Sequence, residues 1–292
     1  MSNKVNFDPV RLPAKAEALR LEVRDFLKEE LLAGTYSPHI GDGFDRVFSR
    51  KVGAKGWIGM TWPKQYGGRE RSHFERYVMT EEFLVAGAPT KAHFTADRQS
   101  GPVLLKYASE SLKQKILPAI IRGECSFAIG MSEPESGSDL FAAKTKAEKC
   151  DRGWVVNGRK VWTSFAHHAD YMIALLRTSS PTKENRRHGL SQFLVDMKAP
   201  GITVSPIINS TGQHDFNEVT FENVLLPEDQ LLGEVDMAWK QATAELAFER
   251  SGPERFLENI YVLTELIRIL GAQPGQREAE GIGRLIAQLH TL

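Results

Sequence analysis

The sequence predicts an α+β multidomain fold: a helical bundle over residues 1–124, an antiparallel β-barrel or sandwich over 125–236, and the start of a second, incomplete helical bundle over 237–292. Three observations carry the prediction. Apolar residues recur at helical spacing as far as Arg122, short runs rich in β-branched and aromatic residues follow from Cys125, and helical spacing returns after Pro227. No internal repeat or low-complexity tract interrupts this order.

In the first segment Leu19, Val23, Phe26, Leu27 and Leu31 form one stripe, with Gly34 as its stop. Phe44, Val47, Phe48 and Val52 form a second. Ser72 and Glu75 stand at capping-box spacing at the head of a third, which carries Phe74, Tyr77, Val78 and Leu84. The intervening WPKQYGG is turn chemistry. Val103, Leu104 and Tyr107, then Leu112 to Ile121, predict one or two further helices, interrupted at Ser109 and broken near Pro118.

The strand candidates are CSFAIGM, KTKAEK, GWVV, RKVWTS, YMIALLRT, SQFLVDM, GITVSP and EVTFENVLL. Asn157-Gly158, between WVV and RKVW, reads as a two-residue hairpin, because a type I′ turn needs positive φ at both positions. Beyond the strands, Trp239, Ala242, Leu246 and Phe248 form one helical stripe and Ile260, Leu263, Leu266, Ile267 and Leu270 another. The last, through Ile282, Leu285, Ile286 and Leu289, has no stop after it and reads as ending in mid-helix.

Composition excludes some classes of function. Lys plus Arg and Asp plus Glu both total 37, so no bulk field draws the chain to nucleic acid or an anionic membrane. The first residues lack the apolar core of a signal peptide, and no run has membrane-spanning length. Cys125 and Cys150 are far apart and without zinc-ligand spacing, which reads as reduced thiols in a cytoplasmic protein with no metal site.

Chemistry concentrates in two stretches. GMSEPESGSDL, from Gly130 to Leu140, packs serines, glycines, a proline and carboxylates into a turn directly after an apolar strand, although a cluster of this kind is also what a solvated loop looks like. In VWTS, strand periodicity puts Trp162 and Ser164 on one side and Thr163 on the other, so a flat ring and a hydroxyl share a wall; a core tryptophan is the plainer reading.

Together, GMSEPESGSDL, the NGRKVWTS segment and the helix, strand, helix order resemble the acyl-CoA dehydrogenase family of flavoproteins, in register from about Leu12 to Leu292. The resemblance implies FAD-dependent α,β-dehydrogenation of an acyl-CoA thioester, with the Cα proton passing to a glutamate and the Cβ hydride to flavin N5. It implies that the backbone from Ile129 to Met131 and Ser132 meet the flavin's pyrimidine edge, that Trp162 covers a ring face, and that Ser164 lies near N5. Ser138 matches the family's contact to the pantetheine or phosphate part of the thioester, with Gly137 beside it. Glu249 and Arg250, in AELAFERSGPER, match one of the family's two base positions and the arginine next to it; Glu245 is a competing carboxylate one turn earlier.

In HFTADRQSGP, where the family lines its acyl cavity, His93, Asp97, Arg98 and Gln99 either face solvent or make a polar cavity suited to a polar, branched or cyclic acyl group, with Arg98 as the substrate contact. Arg186, Arg187 and His188 are either a solvated basic loop or a contact to CoA phosphates. The resemblance also implies an electron-transfer flavoprotein as acceptor, and assembly as a homodimer, tetramer or heteromer. Three alternatives stay open: a non-catalytic or partner subunit of a heteromer, an acyl-CoA oxidase, and a DNA-binding relative, the last opposed by the balanced charge.

Overall fold

The computed structural model describes residues 11–38, 43–182, 185–239, 241–243 and 252–291. In chain order the helices before the strands are α1 (Ala14–Leu32), α2 (Arg46–Ala54), α3 (His73–Val85), α4 (Lys91–Thr95), α5 (Gly101–Tyr107) and α6 (Glu110–Ile121), with one π turn, Ala96–Ser100, joining α4 to α5. The strands are β1 (Phe127–Gly130), β2 (Lys146–Cys150), β3 (Gly153–Ser164), β4 (Tyr171–Arg177), β5 (Leu190–Asp196), β6 (Ile202–Ile207), β7 (Phe216–Leu226) and β8 (Leu231–Leu232). After them come α7 (Glu254–Leu257), α8 (Ile260–Leu270) and α9 (Gln276–Thr291). The described residues fall into two compact units: those within 1–40, 71–88 and 252–292 form the first, and those within 41–70 and 89–251 the second.

In the first unit α1 lies against α3. The stripe Ala16, Leu19, Val23, Phe26 and Leu27 is buried, as its spacing predicts, whereas Leu31 is exposed just before the left-handed Gly34 turns the chain away. The capping box forms in full: the Glu75 amide donates to Ser72 Oγ at 3.3 Å and the Ser72 amide to Glu75 Oε2 at 2.9 Å. Charges also enter this seam. The Arg24 guanidinium grips buried Glu82 through two hydrogen bonds of 2.7 and 2.9 Å, and Arg20 reaches Glu81 and Glu82 at 2.5 and 2.6 Å.

In the second unit, α2 is capped by Asp45, whose Oδ1 accepts from the Val47 and Phe48 amides at 2.7 and 2.9 Å. α6 runs through Pro118 rather than breaking there. A proline in a helix interior costs about 3 kcal/mol, and burial of Leu112, Ile116, Leu117 and Ile120, each contributing about 1.5–3 kcal/mol, outweighs it.

The strands form one sheet in the order β6-β7-β3-β2-β4-β5-β8, with β1 added parallel to β4. β4 and β5 are buried almost without alternation because both faces are covered. Met172, Ala174, Leu176, Phe193 and Val195 enter one core with Trp154, Val156, Val219 and Phe221; Leu175 and Leu190 enter another with Ala143 and Ala238. The hairpin expected at Asn157-Gly158 lies elsewhere: β2 and β3 turn between Cys150 and Gly153, and β3 continues straight through Asn157-Gly158. There β7 carries a bulge with Asn223 at φ 51°, whose amide donates to Asn157 Oδ1 at 2.8 Å. Gly158 lacks a Cβ because one would stand 2.7 Å from the Thr145 Cα. The Asn-Gly signal therefore reports a bulge and a close backbone approach.

Candidate functional site

β1 delivers the Ser/Gly/Pro loop to the flank of β3. At Gly130 an added Cβ would lie 2.5 Å from the Met172 sulfur and 3.3 Å from Lys160 Cγ, so glycine is what allows β1 to end against these side chains. Two backbone and side-chain ties follow at once. The Val161 amide donates to the Ser132 carbonyl at 2.9 Å, and Lys160 Nζ donates to the Met131 carbonyl at 3.2 Å. Residues from two motifs about thirty positions apart thus meet in space, GMSEPESGSDL on one side and RKVWTS on the other.

Beneath that junction lies a buried ion pair. Lys160 has no exposed side-chain surface and donates to Glu133 Oε1 at 2.7 Å, while the Lys144 and Thr145 amides donate to the two Glu133 oxygens at 2.6 and 3.1 Å. Burial disfavours the Glu133 carboxylate, yet the Lys160 charge and these donors outweigh it and hold its pKa below the usual carboxylate range. Burial likewise pushes the Lys160 ammonium below an ordinary lysine, against the pull of Glu133. Neither residue was singled out from sequence. The available signal was parity: Lys160 falls on the inward side of β3 with Trp154 and Val156, where a lysine needs a partner.

Above the pair the strand distorts. Trp162 has φ 59°, in the left-handed region that a bulky residue seldom adopts, and it occupies a one-residue bulge between the pairs Lys160↔Val219 and Thr163↔Asn217. Trp162 is 60% exposed, and its ring meets the Phe216 ring edge-on at 6.0 Å and 81°. Thr163 points inward and is buried, while Ser164 is exposed on the same side as Trp162, matching the period-two expectation. An exposed aromatic side chain, one residue along the strand from the Val161–Ser132 tie, is the kind of surface that takes a flat heteroaromatic ligand.

The remaining candidates are placed as follows. Ile129 and Met131 are half-buried at and just beyond the end of β1. Ser138 and Gly137 are exposed on the outer part of the loop, where a Cβ on Gly137 would meet nothing within 4 Å. Glu133 and Ser136 pair by backbone at 2.7 and 3.1 Å, and Ser136 Oγ donates to the Asp139 carbonyl at 2.7 Å, which shapes the turn carrying Ser138. Arg98 sits in the π turn with its guanidinium 5.3 Å from the Phe94 ring. His93, Asp97, Arg98 and Gln99 are all buried, so the solvent-facing alternative for this segment is ruled out. His93 Nδ1 lies 2.7 Å from Ser49 Oγ, and Asp97 Oδ1 accepts from the Gly59 amide at 2.6 Å. Arg187 stacks on Trp239 at 4.4 Å and Arg186 pairs with Asp139. Glu249 and Arg250, with Glu245, lie outside the described residues. Among the described residues no cluster of His, Cys, Asp and Glu could hold a metal ion, and no helix is long and apolar enough to cross a membrane.

Comparison with known proteins bears on the whole arrangement. Residues 13–124 match the family description "Acyl-CoA dehydrogenase, N-terminal domain" and residues 128–224 match "Acyl-CoA dehydrogenase, middle domain". The chain is 34% identical over 244 residues to the acyl-CoA dehydrogenase IpdE1 of Mycobacterium tuberculosis, covering 80% of this chain and 63% of that protein. To the acyl-CoA dehydrogenase FadE29 of the same organism it is 37% identical over 218 residues, covering 74% and 55%. It therefore spans less than two thirds of the length of these relatives. Among solved structures, one named "Tcur3481-Tcur3483 steroid ACAD" matches with a TM-score of 0.83 and 31% identity over 97% of this chain and 75% of that one. The ChsE4-ChsE5 complex from Mycobacterium tuberculosis matches at 0.80 and 27%, with coverages of 97% and 75%.

Proposed function

The chain belongs to the acyl-CoA dehydrogenase family, whose members are FAD-dependent flavoproteins, and from that premise we propose that it takes part in α,β-dehydrogenation of an acyl-CoA thioester. One observation carries the reading: the GMSEPESGSDL loop and the VWTS strand meet at residues 132 and 161, beside an exposed tryptophan whose left-handed backbone aims its ring outward. Bound there, FAD would supply the acceptor for the Cβ hydride. In this reading the backbone of Ile129 to Met131 and Ser132 bind the cofactor edge, Trp162 shields a ring face from water, and Ser164 sits near the reacting atoms. Ser138 and Arg250 bind the thioester, and Glu249 removes the α-proton. The buried polar group His93, Asp97, Arg98 and Gln99 supports an acyl group bearing polar or cyclic structure, a class consistent with the steroid named for the Tcur3481-Tcur3483 relative. Two cysteines without zinc-ligand spacing, both free thiols, fit the expected cytoplasmic setting, where an electron-transfer flavoprotein would take the electrons.

A specific observation favours a second reading, in which the chain is one subunit of a heteromer. The first unit carries an apolar groove lined by Phe256, Ile260, Leu263, Leu266, Leu285 and Leu289, and two structural relatives are by name two-component assemblies. The experiment that separates the two is a visible absorption spectrum of the purified protein, followed by anaerobic titration with acyl-CoA thioesters. Bleaching of a bound flavin by the isolated chain supports the enzyme, and slow bleaching in Glu249→Gln but not Glu245→Gln assigns the base. A colourless chain that gains flavin only with a second polypeptide supports the subunit.

A further inference from the structure

We infer that Asn217 is a positioning residue for the Trp162 wall, locked by His167 and His214; the inference rests on the reading that this ring lines the flavin site. Asn217, on β7, is fully buried and every polar atom of its side chain is used. Its Nδ2 donates to the Thr163 carbonyl at 3.0 Å, which fixes the amide's orientation, since the reverse would set two oxygens against each other. Its Oδ1 therefore faces His167 Nδ1 at 3.1 Å and His214 Nε2 at 2.7 Å. An amide oxygen only accepts, so both of those ring nitrogens carry the hydrogen. The two imidazoles stack at 3.8 Å and 15°, closing a rigid clamp over one oxygen.

The clamp grips the strand where the bulge needs it. Trp162 stands between two tied neighbours: the Val161 amide is bound to Ser132, and the Thr163 carbonyl to Asn217. Just beyond, the Phe165 amide donates to the Asp215 carbonyl at 2.9 Å, and Phe216, adjacent to Asn217, backs the indole edge. Residues 214–217 thus hold the carbonyl after Trp162, the left-handed turn at Phe165 and Phe216, the aromatic ring that meets the indole edge-on. Remove the Asn217 amide and Thr163 loses its buried side-chain tie and is left with the backbone pairing of Thr163 with Asn217 and Ser164 with Phe216, so the bulge loosens and the ring shifts.

The test uses Asn217→Ala, His214→Ala, His214→Gln and Trp162→Phe, with iodide quenching of tryptophan fluorescence in the flavin-free chain and visible circular dichroism of the flavin-loaded protein. All variants carry Trp239→Phe, because Trp239 is half-buried; Trp57, Trp62 and Trp154 are buried, so quenching then reports mainly Trp162. The expected result is at least a twofold change in the quenching constant for Asn217→Ala and a smaller one for His214→Ala, restored by His214→Gln, whose amide can still donate. Unchanged quenching in Asn217→Ala overturns the inference; if that variant does not fold, unchanged quenching in His214→Ala overturns it. Changed quenching together with a flavin dichroism altered in both Asn217→Ala and Trp162→Phe supports both readings. Changed quenching with unaltered dichroism in both supports the clamp and removes Trp162 from the flavin site.

Discussion

Each compact unit carries charge into its interior, and the two do so with opposite degrees of redundancy. In the second unit a single ammonium, Lys160, with no exposed surface, faces a single carboxylate, Glu133, and the pair ties the candidate site loop to β3. In the first, the equally buried Glu82 is shared by two guanidiniums, of which Arg24 is more than half exposed, and Arg20 has further carboxylates in Glu81 and Glu17. The first arrangement fixes one geometry and has no substitute for a lost member. The second fastens two helices and can lose a member without stranding a charge. Burial of charge therefore says little by itself; what matters is how many partners would remain.

The largest effect should come from breaking the unshared pair. Lys160→Met leaves Glu133 buried without its bonded counter-charge, and removal of one member of a buried pair typically costs about 3–5 kcal/mol. Urea unfolding should show that loss, and the loop's release should weaken flavin retention. Replacing both residues, as Lys160→Met with Glu133→Leu, should recover part of the stability, since a buried pair is often matched by apolar packing, but not the flavin, because the amides of residues 144 and 145 lose their acceptor. A single variant as stable as the parent would end the argument from non-redundancy.

Next in size is an acid effect that belongs to the second unit. Burial pushes His93 down to about 4, against the opposing charge of Asp97. The unfolded chain takes up this proton near pH 6.5 and the folded one does not until about pH 4, so stability is full above pH 6.5 and falls through that window, by on the order of 3 kcal/mol. His167 and His168, also held down chiefly by burial, act with the same sign. His93→Gln should flatten the slope of unfolding free energy between pH 6.5 and 4, read from urea midpoints. An unchanged slope would place the acid sensitivity elsewhere.

These features differ in how far they could be read from sequence. The capping box at Ser72 and Glu75 is local chemistry within four residues, and it was legible; so were the α1 stripe, the general order of elements and the sidedness of Trp162 and Ser164. Asn157-Gly158 was not, because its meaning depends on Asn223 and Thr145, which sequence spacing does not bring near. Pro118 was misread as a break because local propensity was weighed without the burial of the residues around it. The left-handed turn at Trp162 likewise follows from pairing with β7 and from Asn217, more than fifty residues away. Lys160 and Glu133 stood in view, one on the inward parity of its strand and one among the loop carboxylates, and only the fold joins them.

The smallest effect should come from the redundant network, and it is the sharper half of the comparison because it predicts near silence. Arg24→Ala removes two hydrogen bonds to Glu82, of 2.7 and 2.9 Å, which taken alone would suggest a serious loss. Two considerations reduce it. The Arg24 side chain is 57% exposed, so most of its attraction to Glu82 is screened by water, and pairs of that kind contribute about 0.2–1 kcal/mol. Glu82 also keeps Arg20 at 2.6 Å, so no carboxylate is left buried alone. The expected loss is about 0.5 kcal/mol, near the resolution of a denaturant titration, and sodium chloride at 1 M should erase most of the difference from the parent. Arg20→Ala should cost more than Arg24→Ala, because it leaves Glu82 to one exposed partner. A loss for Arg24→Ala as large as for Lys160→Met would show that the number of remaining partners does not set the cost.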